Sequence, residues 1–521
     1  MVYGGKPSTG CYLCRKRKIK CDEERPGCRN CATYGRPCPG YRPDAIFRNE
    51  TRKVERLAKK DTNCSSSSSK NNTPSSQALM VADRSLDRSA SVLNLHRIAD
   101  STWEERAICY FFDQYTVPGD NEEGTGHLEY LPPLYARAAE VQSTVKGSPA
   151  ACLRWAVDAT ALMTLANFSN APPLMIKARQ GYGRALRGLR DALASPDTAI
   201  MDETFASVLL LSLYEDISGE RNGLFSSHTA GFEFLMKLRG EGQLDHQRGR
   251  DMFNFAYAHT YVEILALGDK PRHDIDWVLG LLDSNDPVER LMLAASKIRQ
   301  LFLSMQTAPS PPDLATVEKW IEAGRKSDLE LSQWPLHLPD RWLPLVVYSA
   351  KGETLMVYKT IGNAVIWNYY RAARVMLQQC LFNLNRTYLS IKNKTRKPDD
   401  PSQAIPALDE ASLREVVQEM TTDICRSIPF SLSDVDELGR LAGPIDGKPV
   451  RAAQAYGLIW PLWYVLSCGM PTEAQFNQIR EVLWSIGSTL GIKLALILAR
   501  EAERMRNESL ASAPAAGPSG R

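Results

Sequence analysis

Six cysteines between residues 11 and 38 read Cys11-x2-Cys14-x6-Cys21-x6-Cys28-x2-Cys31-x6-Cys38, one half-pattern, Cys-x2-Cys-x6-Cys, written twice. No other feature of the chain limits its local fold so tightly. So short a stretch buries too little apolar surface to fold alone, so the thiols must contribute the organising free energy. Met1 to Gly10 contains no apolar run of signal-peptide type, which argues against secretion and for reduced thiols. Closely spaced reduced thiols are metal ligands more often than disulfides, and tetrahedral thiolate coordination favours zinc.

Ligand arithmetic narrows the site further. Two zinc ions with four ligands each need eight positions, which six thiolates fill only if two of them bridge both metals. No histidine can assist, because the first in the chain is His96. The symmetry of the halves makes Cys11 and Cys28, the first cysteine of each, the natural bridging pair. The simpler alternative is one zinc on Cys11, Cys14, Cys28 and Cys31 with Cys21 and Cys38 as bystanders. A single-zinc site would not require the third cysteine to recur at the same spacing. Folding should then depend on metal, with a contribution of order 10 kcal/mol or more.

Between Cys14 and Cys21 stands Arg15-Lys16-Arg17-Lys18-Ile19-Lys20, which is almost all cation. A helix expected over about 12–19, anchored by Cys11 and Cys14, would hold these side chains in a fixed array. Lysine and arginine reach phosphates nonspecifically and guanine O6 and N7 in the major groove. A basic hexamer alone is equally a solvated face or a nuclear import signal; inside a metal knuckle, DNA binding is favoured and both roles can coexist. Charge follows the same division. The 521 residues carry 63 Lys+Arg against 60 Asp+Glu, a formal +3, yet the first 60 hold 16 cations against 6 acids and the rest is net −7. That asymmetry reads as a polyanion-binding arm on a mildly acidic body.

Beyond the basic arm, residues 61–95 include ten serines and little apolar surface, so a flexible linker is expected. From about 100 to 506 the pattern is helical. Tyr182, Ala185, Leu186, Leu189 and Leu193 form one apolar stripe, with Pro196 blocking continuation. Asp202-Glu203 suits a helix N-terminus ahead of Phe205 to Tyr214, a segment apolar enough to be buried all round. His228 to Arg239 carries Ala230, Phe234, Leu235 and Leu238 before Gly240 as a stop. Further helices are expected over 367–384 and 476–505. Residues 452–472, interrupted by Gln454, Gly457, Pro461 and Pro471, read as a buried helix and not as a membrane span. Strand alternation is absent over comparable lengths. The expected architecture is a metal-stabilised cluster at 1–45, a short helical extension and linker at 46–99, a large all-α regulatory domain at 100–506 and a disordered tail at 507–521.

Residues 10–41, with all six spacings, the basic stretch and Pro26 between the halves, resemble the fungal six-cysteine binuclear zinc cluster of transcription factors. The resemblance implies two zinc ions held by Cys11, Cys14, Cys21, Cys28, Cys31 and Cys38. It also implies that the end of the first helix enters the major groove at a CGG-like triplet, with Lys18 as the base-reading lysine and Arg17 beside it. Arg15, Lys16 and Lys20 would mostly hold phosphates. Residues 182–193, 202–215, 228–240, 367–371 and 460–463 are similar to segments of the helical fungal-specific transcription factor domain. The implied partners are double-stranded DNA and transcription machinery or co-regulators, in the nucleus, with a metabolic gene cluster as the type of target. Many relatives add a coiled coil; here Phe47, Val54 and Leu57 span barely one and a half heptads, with Glu50 at a core position, where a sustained seam needs three or four. Monomer and homodimer both stay open.

Catalysis is the main competing class. The chain lacks His-Glu-x-x-His, Gly-x-Ser-x-Gly, a phosphate-binding Gly-x4-Gly-Lys-Ser/Thr and a dinucleotide Gly-x-Gly-x-x-Gly after a strand, so no catalytic residue is assigned and the chain is not read as an enzyme. His228 is the histidine to watch, with packing or hydrogen bonding the favoured role. Tryptophans 155, 367, 460, 463 and 484 read as core. An RNA-binding scaffold is the third class, though only Tyr12, Tyr34 and Tyr41 near the cluster could stack on bases.

Overall fold

The Cys-x2-Cys spacing places each cysteine pair at the start of a helical turn, and the computed structural model shows α1 over Tyr12–Lys16 and α2 over Arg29–Thr33. The described residues are 10–24, 27–39, 101–117, 128–141, 147–221, 224, 226–267, 276–349, 351–395, 408–441 and 450–512. The coiled-coil positions at 47–57, the serine linker and the last nine residues lie outside them. The chain divides into two units, 1–95 and 96–521.

In the first unit, α1 is shorter than the expected helix over 12–19. Arg17 caps it, Lys18 turns into the left-handed region at φ 57, and the Ile19 N–H donates to the Cys14 carbonyl at 3.1 Å. This closure ends the helix, because continuing it would need Lys18 in right-handed geometry.

The second unit is built from helices: α3 (Trp103–Tyr115), α4 (Leu131–Glu140), α5 (Pro149–Ser169), α6 (Pro172–Ala192), α7 (Pro196–Ala199), α8 (Asp202–Ser218), α9 (Thr229–Arg239), α10 (Gln247–Leu267), α11 (Pro287–Thr307) and α12 (Leu314–Gln333). After one hairpin follow α13 (Ile361–Thr395), α14 (Glu410–Ser431), α15 (Ala452–Ser467), α16 (Glu473–Thr489) and α17 (Lys493–Ser512). Local chemistry starts many of them. Thr102 and Glu105 form a capping box, as do Thr472 and Gln475, while Asp286, Asp313 and Asp409 accept first-turn N–H groups. Helix α8 is buried at every residue from Thr204 to Ile217, and α15 runs through Pro461 with its residues 455–466 wholly buried.

Two expected faces are oriented differently. On α6, Ala185 and Leu189 are buried but Leu186 and Leu193 are exposed, because the helix turns its small residues toward α5: Gly181 lies against Ala159 and Gly188 against the Trp155 ring. Close backbone approach there is a stronger constraint than the widest apolar stripe. On α9, Phe232, Leu235 and Met236 face the core while Phe234 and Leu238 are exposed. Trp484 is half exposed, whereas Trp367, Trp460 and Trp463 are buried. Pro196 does not simply stop α6; it opens α7 at its first turn. Helix α17 extends to Ser512, six residues into the stretch expected to be tail. The one β-sheet among the described residues is an antiparallel hairpin of β1 (Leu345–Tyr348) and β2 (Thr354–Val357), in which Leu345 pairs with Val357 and Tyr348 with Thr354. No helix among the described residues is long and apolar enough to cross a membrane.

Candidate metal centre and nucleic-acid interface

Each half of the first unit begins with a cysteine in extended geometry that caps its helix. Cys11 has φ −61 and ψ 158, Cys28 has φ −75 and ψ 146, and the Cys14 N–H donates to Cys11 Sγ at 3.3 Å. A residue three positions on then carries its side chain back over the same turn, which brings Cys14 and Cys31 inward. Cys11, Cys14, Cys28 and Cys31 are buried; Cys21 and Cys38 are half-buried.

The sulfurs converge as two overlapping sets. Ligand atoms of Cys11, Cys14, Cys21 and Cys28 lie within 4.8 Å of one another, and so do those of Cys11, Cys28, Cys31 and Cys38. Cys11 and Cys28 belong to both. All six are free thiols, and the separations of 3.6 Å from Cys11 Sγ to Cys28 Sγ and to Cys31 Sγ, and of 3.7 Å from Cys14 Sγ to Cys28 Sγ, are far beyond a disulfide. They match the edge of a sulfur tetrahedron around zinc, about 3.8 Å for a Zn–S bond of about 2.3 Å.

The chemistry of the donors agrees. Desolvation, followed by the neighbouring Cys11 sulfur, pushes the Cys14 thiol up to about 12, and desolvation raises Cys28 and Cys31 as well. Cys21 goes the other way, to about 7: desolvation raises it, but the main-chain N–H groups of Cys11 and Glu23 outweigh that effect. Buried sulfurs that resist ionisation become thiolates when a divalent cation sits among them. The donor set fits zinc.

Polar contacts join the halves around this centre. The Arg29 N–H donates to Asp22 Oδ2 at 2.8 Å, and Asn30 Nδ2 donates to the Lys20 carbonyl at 2.9 Å. Neither contact was legible from cysteine spacing alone. The cations all face solvent: Arg15, Lys16, Arg17, Lys18 and Lys20 are exposed. Arg17 is held, because its guanidinium carbon stacks 3.4 Å from the centroid of the Tyr34 ring. Tyr34, considered in sequence only as a base-stacking aromatic, is thus a platform for an arginine of the other half. Tyr41 lies outside the described residues.

In the second unit, His228 is the residue before α9, with Nε2 3.0 Å from the Tyr182 hydroxyl and 3.6 Å from Glu215. Desolvation lowers its pKa against the pull of Glu215. This is a packed, hydrogen-bonded histidine.

Comparison with known proteins agrees with the geometry. Residues 9–45 match the fungal Zn(2)-Cys(6) binuclear cluster domain, and residues 137–286, from α4 to the start of α11, match the fungal specific transcription factor domain. An uncharacterized protein of Emericella nidulans is 34% identical over 116 residues, 22% of this chain and 25% of that protein. The aspercryptin biosynthesis cluster-specific transcription regulator of the same organism is 56% identical over 39 residues, 8% of this chain and 6% of its own. A Zn(2)-C6 fungal-type transcription factor of Aspergillus fumigatus is 55% identical over 38 residues, 7% of this chain and 10% of its own. The chain thus spans a quarter or less of the length of these relatives. No solved structure matches it. The chain thus resembles fungal Zn(2)-C6 transcription factors over its six-cysteine segment and matches the fungal specific transcription factor domain over part of its helical unit.

Proposed function

We propose that the protein is a nuclear, sequence-specific DNA-binding regulator of transcription, with two zinc ions in its N-terminal cluster. One ion is held by Cys11, Cys14, Cys21 and Cys28 and the other by Cys11, Cys28, Cys31 and Cys38. The observation that carries this reading is the sharing of Cys11 and Cys28 between two four-sulfur sets. Zinc supplies the cross-link that organises the segment; the chain's own residues do the recognition. Lys18, at the turn that ends α1, reads base edges, while Arg15, Lys16 and Lys20 hold phosphates and Arg17 is set by Tyr34. The helical unit passes the regulatory signal to co-regulators. Likeness to a biosynthesis-cluster regulator supports a metabolic gene cluster as the target class.

The test compares binding of the zinc-loaded chain to a CGG-containing duplex, a scrambled duplex and single-stranded RNA at matched salt, together with zinc counted per chain. Two zinc ions and a preference for the CGG duplex are expected. Equal affinity for all three nucleic acids defeats the claim of sequence-specific DNA binding, and one zinc per chain defeats the shared-cysteine arrangement.

A further inference from the structure

The hairpin of the helical unit has an open edge. In an antiparallel pair, residues alternate between those that bond to the partner strand and those that point away. The Ser349 N–H donates to the Glu353 carbonyl at 2.8 Å, so Val347 and Leu345 bond inward to β2. The main-chain N–H and C=O groups of Val346 and Tyr348 then point outward. No described group bonds to them.

The side chains of this strand are as open as its backbone. Leu345, Val346 and Tyr348 are 59%, 55% and 74% exposed. Gly439 lies against the Val347 side chain, and its chain neighbours Leu438 and Leu441 are 63% and 74% exposed. Successive side chains of a strand point to opposite faces, so Leu345 lies on one face of the hairpin and Val346 and Tyr348 on the other, and exposed apolar side chains flank the open edge on both faces. Exposed strand edges are ordinarily blunted by a lysine, a proline or a bulge. From Leu343 to Ser349 the chain has no charge, and its one proline, Pro344, lies before the strand.

We propose that β1 pairs with β1 of a second copy of this chain, antiparallel about a two-fold axis, to form a continuous sheet β2-β1-β1-β2. Three observations favour a second copy. An antiparallel edge is self-complementary: centred on Val347, Val346 of one copy faces Tyr348 of the other, and both outward residues of each strand donate and accept. A register centred one residue earlier would set Tyr348 against Pro344, which has no N–H to give. The strand is also neutral, so meeting its own copy brings no like-charge repulsion. Each end carries one acid and one base, Asp340 with Arg341 and Lys351 with Glu353, so the antiparallel approach opposes no net charges.

Sedimentation equilibrium of the zinc-loaded full chain over a micromolar concentration range tests this. The native chain should associate to a dimer, and Val346→Lys or Tyr348→Lys should weaken the association at least tenfold while leaving circular dichroism unchanged, since both side chains face solvent. Val347→Cys serves where a lysine variant misfolds: Val347 faces itself at a non-hydrogen-bonded position, about 4.5 Å between Cα atoms, which suits a disulfide. Mild oxidation should then give a covalent dimer, and Val346→Cys should give far less. A native chain that stays monomeric, a dimer insensitive to Val346→Lys, or capture of a different protein by this strand without self-association overturns the proposal.

Discussion

The two halves of the cluster share a backbone and differ in what they display. Residues 17 apart occupy equivalent places: Cys11 with Cys28, Cys14 with Cys31, Arg17 with Tyr34, Lys18 with Gly35. Both helices end the same way. In the first, the Ile19 N–H reaches the Cys14 carbonyl at 3.1 Å; in the second, the Arg36 N–H reaches the Cys31 carbonyl at 3.2 Å. The residue before each of those donors is left-handed, Lys18 at φ 57 and Gly35 at φ 71. The second half uses the residue that tolerates this conformation. The first half places a lysine there, and the neighbouring cap residues are an arginine and the tyrosine it stacks on. The cysteine framework accounts for what the halves share; what they do not share is the basic surface.

The largest expected effect breaks both halves at once. If Cys28 serves both metals, Cys28→Ser should release both zinc ions and unfold residues 10–39, a loss on the scale of 10 kcal/mol of metal-coupled folding. The helical unit, whose core is separate, should keep its melting transition. Zinc analysis and far-ultraviolet circular dichroism of the full chain check both. Retention of one zinc would mean that the halves bind metal independently.

Next in size is the division of labour within the basic half. Lys18→Ala should lower affinity for the CGG duplex by about 1 to 3 kcal/mol and relax the preference for the triplet. Lys16→Ala should weaken all sequences alike and flatten the salt dependence by about one charge. Anisotropy titrations on specific and scrambled duplexes at several salt concentrations separate the two. An unchanged ratio of specific to nonspecific binding in Lys18→Ala would remove its base-reading role.

Why the sequence carried the cluster so well and the body less well has a physical basis. Cysteine spacing fixes a covalent path between candidate ligands, and a tetrahedral metal accepts few such paths, so the repeat itself singles out Cys11 and Cys28, whose sulfurs belong to both four-sulfur sets. The left-handed turn at Lys18 was not: lysine gives no signal for a positive φ, and only the Gly35 equivalence hints at it. In the body, the run from Phe205 to Tyr214 announced its burial because it is apolar on every side. Leu186 and Phe234 misled because apolar residues also occur on the surface, and the face that packs was chosen by the small residues Gly181 and Gly188. The hairpin escaped notice because four residues per strand give too short an alternation to read.

Exchange of the two left-handed residues measures what the basic half gives up in stability. Lys18→Gly should raise zinc affinity by about 1 kcal/mol, since a non-glycine residue in this region costs about that much. It should lose triplet preference as fully as Lys18→Ala. Gly35→Lys should cost about the same amount, and for conformational reasons alone, because a Cβ at Gly35 would meet no atom within 4 Å. Zinc competition titrations read both. If neither substitution moves zinc affinity, the left-handed turn is not a source of strain.

The smallest effect concerns the stacked cation that links the two halves. Arg17 over Tyr34 is an exposed cation–π pair, worth about 0.5 to 1 kcal/mol. Tyr34→Leu keeps an apolar side chain but removes the ring face, so Arg17 should lose its fixed direction, and duplex affinity should fall a few-fold with zinc binding intact. Arg17→Ala should cost more, because it removes the cation as well. If the tyrosine acts only by orienting the arginine, Tyr34→Leu should add nothing in the Arg17→Ala background. A double-mutant cycle on duplex binding makes that comparison directly. Additive losses would instead give Tyr34 a contact with nucleic acid of its own and leave Arg17 to act without a platform.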